Sequence, residues 1–566
     1  TYIIHSISPG RNRMDNISIV DDLYNSCGFK PNKIQEQFQK DWKSSLKENI
    51  SFDGSGKVIL NNAPNRIGKT TTTLKWLDEK EAKVLYLADR HNHIEEVETF
   101  IGDDKFVHWY GLEQLCQIGT NPNTHFLLEN GVPPRLICRN CSNRRSCPYW
   151  KQWKTKDNSI VGAPKELILT KHVQKENWDV IVFDELVDKA KPIKAYVPEL
   201  SEDIFKRFGI QDLYYTTYLS MKIIKENKDF SKDNITLLKD GVREIDCSLQ
   251  KVVKQIKDTE ELTKYKDVPK LIKWLSRYGE TLDWAVHCSK FGYRTKYYRL
   301  YLYYVLDLVD SCGSDVVILN TSLQKRFYNF MVENYDKDLP ELIEFKFTVQ
   351  NKDSVLLHYN HFNRSFSKGA LFKEDENGNM QLNNDRYGFK AYKMVKDIIG
   401  FCKSKSLKVG VITYKFAESF FVDIADSVGH FGGHQGSNQL DDVDVLLIYG
   451  TYTIHPGGLY QKRLMVKKEF LESNKIDWKV YKYINGCRVR FSNDESSNEI
   501  KLYKLNEEHG QAIFRSGAHV QENKIVIVFG FVPSGIENTL DYRTFNTARG
   551  AKISITKQIK KINNQK

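Results

Sequence analysis

KVILNNAPNRIGKTTTTLKWL, Lys57 to Leu77, reads as strand, tight loop and helix in succession. Val58 to Leu60 supply the strand; Gly68, Lys69 and Thr70 open the helix. Such a junction suits phosphate. Backbone N–H groups and the helix N-terminus face the anion, Lys69 neutralises oxygens, and the Thr70 hydroxyl can hold Mg²⁺. The usual G-x-x-x-x-G-K-[ST] pattern fails at its first place, where Ala63 stands. The residues expected around a bound ATP are therefore Ala63, Pro64, Asn65, Arg66, Ile67, Gly68, Lys69, Thr70 and Thr71.

A nucleotide-hydrolysing site of this kind also needs carboxylates at the end of a neighbouring buried strand. WDVIVFDELVDKA, Trp178 to Ala190, supplies them, with Val180 to Phe183 as the apolar run. Asp184 would hold the Mg²⁺ shell, and Glu185 would orient or deprotonate the attacking water. A strand that merely ends in an acidic helix cap is the plainer alternative.

The bulk numbers set the frame. A chain of 566 residues should divide into three or four domains. No stretch approaches ~20 uninterrupted apolar residues, so no membrane span or membrane partner is expected. The aromatic run YYRLYLYYVLDLVD from Tyr297 carries charges and reads as a buried helix. The leading TYIIHSISPGRNR lacks an apolar signal core, and Met14 is the expected native start. A formal charge of +12 fits a nucleic-acid partner. Ten cysteines form one cluster and scattered singles, which favours a cytoplasmic setting (nucleoid-associated in a prokaryote) and metal ligation over disulfides.

Several short stretches, in order, resemble the XPD/DinG family of superfamily 2 helicases. GFKPNKIQ (Gly28 to Gln35) resembles the adenine-side motif, with Gln35 as its glutamine; NAPNRIGKT resembles the family's A-P-T-G-x-G-K-T loop. VLYLADRHNHIEEV (from Val84) resembles its motif Ia, and WYGLEQLC (from Trp109) the segment ending in the first cluster cysteine. VVILNTSL (from Val316) stands at motif III, LKVGVITYKFAESF (from Leu407) at motif IV, GGHQGSNQLDDVDVLLIYGTYTIHP (from Gly432) at motif V, and GQAIFRSGAH (from Gly510) at motif VI. The resemblance spans roughly Phe29 to Gly530. Three departures stand out. The DEAH-type box reads Asp184-Glu185-Leu186-Val187; Ala518 takes the place of a second motif VI arginine; and Asn65 and Arg66 replace T-G, so Arg66 could crowd or contact phosphate.

LICRNCSNRRSCPYWKQW, Leu136 to Trp153, packs Cys138, Cys141 and Cys147 among basic residues, with Cys116 upstream. Thiolates suit Fe–S and Zn²⁺ alike, so the residues alone leave both open. Zinc sites more often pair two C-x-x-C knuckles, and one is present here. The resemblance implies a 4Fe–4S cluster on Cys116, Cys138, Cys141 and Cys147. Arg135, Arg139, Arg144, Arg145, Lys151 and Lys154, with Tyr149, Trp150 and Trp153, mix charge neutralisers with stacking surfaces, a combination that holds single-stranded DNA. The plainer alternative is a solvated basic loop whose aromatics pack on the cluster.

The resemblance implies an α/β fold of two RecA-like motor domains, with an iron–sulfur insertion and a helical Arch-like insertion in the first. The expected divisions are 14–106, motor domain 1; 107–160, cluster domain; 161–190, motor domain 1 again; 191–312, helical insertion; 313–340, the last strand and motif III; and 341–566, motor domain 2. It also implies Gln511 and Arg515 as lobe-two catalytic residues beside Lys69, Asp184 and Glu185. His91, Thr321, Ser322 and Asn438 join Arg139, Arg144, Arg145, Tyr149 and Trp150 as strand contacts. The activity so implied is an ATP-dependent 5′→3′ DNA helicase, a monomeric motor on single-stranded and tailed or forked duplex DNA. Two alternatives remain: a translocase that remodels without processive unwinding, and a non-catalytic nucleotide- and strand-binding protein.

Overall fold

The structure is a computed structural model. It describes residues 31–64, 66–102, 105–116, 122–139, 141, 144–154, 159–185, 189–291, 296–320, 325–333, 335, 337–359, 366–384, 387–433, 440, 442–454, 458–459, 462–463, 466, 480–484 and 487–565. Thr321, Ser322, Asn438, Asn65 and Leu186 to Asp188 lie outside the described residues.

The first sheet takes β1 (Val58–Asn61), β2 (Val84–Ala88), β3 (Phe106–His108), β4 (Ile160–Pro164) and β5 (Val180–Asp184). A two-stranded antiparallel pair follows, β6 (Ala190–Lys194) with β7 (Lys296–Leu300). The first sheet is then completed by β8 (Asp315–Leu319) and β9 (Leu342–Phe345), in the order β3-β4-β2-β5-β8-β1-β9. Every pairing in it is parallel. Central strands covered on both faces must be apolar throughout rather than alternating, and β1, β2 and β8 are buried at every position.

The second half supplies β10 (Asn351–Tyr359), the hairpin of β11 (Phe372–Glu374) and β12 (Met380–Leu382), β13 (Val409–Thr413), β14 (Ser427–His430), β15 (Val445–Tyr449), the hairpin of β16 (Val480–Ile484) and β17 (Cys487–Phe491), β18 (Ile525–Phe529) and β19 (Leu540–Phe545). Six of these make the second parallel sheet, β14-β13-β15-β18-β10-β19. The two expected α/β lobes are thus present, each with its own buried cluster.

Two segments interrupt the first sheet. β3 and β4 belong to the first sheet, so the cysteine segment hangs between them. β9 pairs with β1, Val58 opposite Leu342, and so sits in the first lobe although 341–566 was expected to be the second. Residues 202–291 are mostly helical, and the β6–β7 pair closes that segment at its base. The run from Tyr297 is only partly helix: Tyr297 to Leu300 complete β7, and the helix is Tyr301–Cys312. Cys487 to Phe491 form the second strand of the β16–β17 hairpin, and the chain turns helical at Glu495, where the Asp494 side chain caps the Ser497 N–H. Among the described residues no helix is long and apolar enough to cross a membrane.

The helix Lys33–Asn49 shows how the first lobe is braced. Asn32 and Gln35 form a capping box at its start, and Phe38, Trp42 and Leu46 form its buried stripe. Trp42 Nε1 donates to Thr73 Oγ1 at 2.8 Å, tying it to the helix Lys69–Glu79 that follows the phosphate loop.

Candidate nucleotide site

The loop after β1 is built from backbone constraints. Ala63 N–H donates to Asn61 Oδ1 at 3.0 Å, turning the chain out of the strand. Gly68 caps the helix at φ 93, a left-handed conformation that glycine adopts without steric penalty. Ala63 and Ile67 are fully buried and fix the loop to the core. Lys69 is 7% exposed and donates from Nζ to the Ala63 carbonyl at 2.7 Å.

β5 lies beside β8, with β2 on its other side, and its carboxylates emerge next to this helix start. Thr70 Oγ1 donates to Asp184 Oδ2 at 3.2 Å, and Tyr86 Oη donates to the same oxygen at 2.8 Å. A hydroxyl and a carboxylate so placed are the hard oxygen donors that Mg²⁺ takes. Glu185 has φ 50, uncommon for a residue with a side chain, and its N–H donates to Leu319 O at 2.9 Å at the end of β8. Strained backbone of this kind gathers at functional sites.

Across the cleft, Gln511 and Arg515 come one turn apart from the end of the helix Glu495–Phe514. Together with Arg66, Gly68, Lys69, Thr70, Thr71, Tyr86, Asp184 and Glu185 they line one cavity of about 340 Å³. The electrostatics follow from burial. It pulls the Lys69 ammonium well below the ordinary lysine range, against the pull of Glu185 and Asp184. Burial also raises the Glu185 carboxyl to about 7; Asp184 and Glu507 add to the rise, and Lys69 and Arg515 oppose it. Asp184 is raised by burial as well, with the Tyr86 bond and Lys69 working against it.

The site departs from expectation in places. Gln35 does not line the cavity: its Oε1 accepts from Asn32 N–H at 3.0 Å and its Nε2 donates to Arg66 O at 3.0 Å. Its role here is to hold the loop. Ala518 is fully buried and its carbonyl accepts from Asn351 Nδ2 at 2.9 Å. Tyr86 was missed by sequence reasoning, though a hydroxyl inside a wholly buried strand must find a partner. Glu507, paired with Lys504 and bonded by Tyr503 Oη at 3.2 Å, was also missed. Tyr503 in turn stacks on Phe327 of the first lobe, with ring centroids 3.9 Å apart.

The cysteine segment is clamped at both ends by Gln152. Its Oε1 accepts from Tyr110 N–H at 2.9 Å, its Nε2 donates to Tyr110 O at 3.0 Å, and its own carbonyl accepts from Trp109 Nε1 at 2.8 Å. Burial pushes the Cys138 thiol up; the Trp150 indole works against this, and Cys116, Cys141 and Cys147 add to it, so the four thiols share one neighbourhood. Among the described residues, however, no group of three or more His, Cys, Asp or Glu side chains is placed to hold a metal ion. The four thiols are of the chemistry that a thiolate-bound centre takes, and the Trp150 indole N–H lies against the Cys138 thiol.

Of the expected strand contacts, Arg139 donates to Gln250 Oε1 of the helical insertion at 2.8 Å, and Arg144 stacks over the Trp150 ring at 4.8 Å. Arg145 is exposed. Tyr149 is buried, edge-on to Trp150 and Trp153, and so has little ring face to offer a base. His91 begins the helix His91–Ile101, shares a hydrogen bond with His108 at 2.8 Å and stacks on Tyr110. Its ring is occupied by packing.

No family model and no curated protein matches the sequence. Solved structures similar in fold include an apo XPD (11% identity, 92% of this chain and 98% of that one, TM-score 0.40). Xpd4 of S. tokodaii is similar at 12% identity over 89% of this chain and 100% of that one, TM-score 0.41. A DEAD box protein from the hyperthermophile Methanococcus jannaschii is similar at 12% identity over 81% and 88%, TM-score 0.28. All three likenesses are distant.

Proposed function

We propose that the chain is an ATP-driven nucleic-acid motor, and specifically a DNA helicase that travels 5′→3′ on a single strand. One observation carries the reading: Lys69, Thr70, Asp184 and Glu185 from the first lobe and Gln511 and Arg515 from the second converge on one cavity. Lys69 would neutralise phosphate oxygens, and Thr70 with Asp184 would hold Mg²⁺. Glu185 would orient the attacking water, and Arg515 would stabilise charge on the transferred phosphoryl. Closure of the lobes on ATP and reopening after hydrolysis would ratchet the strand, a gating motion of ordinary type. The basic surface of the cysteine segment and the net charge of +12 support a polyanionic track. DNA preference and polarity rest on the sequence resemblance.

Cys116, Cys138, Cys141 and Cys147 would hold a 4Fe–4S cluster, which would supply a rigid anchor for that segment. Gln152 and Trp109, with Trp153 packed edge-on against Trp109, would then transmit its position to the first sheet. A second reading keeps ATP hydrolysis but uses it for translocation or remodelling without processive unwinding.

Strand displacement tests the first reading. Purified protein with ATP should separate a 5′-tailed duplex and leave a 3′-tailed one intact. Stimulated hydrolysis without displacement would favour the second reading, and displacement from the 3′ tail would overturn the polarity. Iron analysis of anaerobically purified protein tests the cluster. About four irons per chain, lost in Cys138→Ser, are expected; zinc in their place would sink it.

A further inference from the structure

One arginine reaches the cavity from the second lobe, and a second guanidinium comes from the phosphate loop itself. Arg66 sits at φ 63, in a left-handed conformation that disfavours a side chain. Two bonds hold it at either end, backbone and guanidinium. Its carbonyl accepts from Gln35 Nε2 at 3.0 Å, and Gln35 is itself locked by Asn32 N–H at 3.0 Å. Its Nη1 donates to the carbonyl oxygen of Arg515 at 2.6 Å. That carbonyl stands at the C-cap of the helix Glu495–Phe514, where helix carbonyls have no partner within the helix.

The three residues form a chain of contacts. Gln35 fixes the backbone of Arg66, and Arg66 fixes the backbone of Arg515. All of this crosses the cleft at the wall of the cavity that also presents Lys69. Ala518, buried with its carbonyl engaged, offers only a methyl group and no polar side chain with which to steady Arg515.

We infer that Arg66 is the positioning residue for Arg515: by clasping its carbonyl from the phosphate loop, Arg66 sets the finger in the cleft, a task taken here by the first lobe. This rests on the reading of the cavity as an ATP-hydrolysing site. It predicts an effect on the chemical step rather than on ATP affinity, since Arg66 acts through Arg515.

Arg66→Gly is the informative variant. Glycine adopts positive φ without penalty, so the loop loses a guanidinium and is relaxed rather than strained. The melting temperature should equal or exceed that of the wild type. The kcat for ATP hydrolysis in the presence of single-stranded DNA should fall roughly a hundredfold, the scale of a misplaced catalytic group. KM for ATP should stay within about twofold. Arg66→Lys, which keeps a donor, should recover part of kcat. An Arg66→Gly protein with wild-type kcat would overturn the inference. So would a raised KM with kcat unchanged, because Arg66 would then simply bind nucleotide. A wild type no faster than Lys69→Ala would overturn the motor reading first, and the inference with it; that outcome is read on the wild type alone.

Discussion

Glu185→Gln should make the nucleotide-free protein more stable at neutral and alkaline pH while abolishing its turnover. The Glu185 carboxyl is raised from 4.5 to about 7, by burial first and then by Asp184. Its folded-state pKa lies above its unfolded value, so between these two pH values the folded state binds more protons than the unfolded one. Stability therefore falls as pH rises from 4.5 towards 7, and above 7 the full penalty of holding a buried anion is present. Each pH unit of that window is worth about 1.4 kcal/mol, which places the penalty at about 3 kcal/mol. Glutamine keeps the shape and loses the charge. Urea titrations of wild type and Glu185→Gln should thus nearly coincide at pH 4 and separate by up to about 3 kcal/mol at pH 8.5, in the transition that unfolds the first lobe. Lys69 shares the pocket, so its attraction to Glu185 is already contained in the net rise. A variant that is less stable at pH 8.5, or a difference that does not change with pH, would refute the reasoning.

Tyr503→Ala should cost about 3 kcal/mol by removing a ring stacked on Phe327, while Tyr503→Phe, which keeps the ring and loses the hydroxyl bond to Glu507, should cost about 1 kcal/mol; thermal scanning separates them. Asn32→Ala removes a capping box and a side-chain bond to Val520 O across the lobes. A loss of about 1–2 kcal/mol is expected in denaturant titration. Gly313→Ala places a Cβ 2.5 Å from Gly54 O at φ +68, so a loss of roughly 2 kcal/mol or poor expression should result.

The strand, loop and helix from Val58 to Glu79 and the strand ending at Asp184 were legible because each couples an apolar run to polar residues at its tip. Burial on both faces leaves a sequence signature, and β1, β5 and β8 carry it. The edges were less legible. β9 is half-exposed and short, so LIEF gave no signal of the lobe it joins. Tyr297 to Leu300 share the aromatic character of the helix after them, and only pairing with β6 makes them a strand. At the site, Gln35 was expected beside the nucleotide but is held between Asn32 and Arg66, a partnership across 31 residues that no local pattern records. Tyr149 and Trp150 looked alike in sequence; burial against Cys138 and its neighbours separates them. The clasp between Arg66 and Arg515 joins residues 449 apart, and tertiary folding alone brings them together.

The proposed motor requires the two lobes to hydrolyse ATP in response to a nucleic-acid strand. Steady-state phosphate release, with and without single-stranded DNA, tests it most directly when wild type, Lys69→Ala and Arg515→Ala are measured side by side. DNA-stimulated turnover in the wild type and background rates in both variants are expected. Turnover in the wild type that Lys69→Ala retains, or no turnover in any of the three, would contradict the proposed motor.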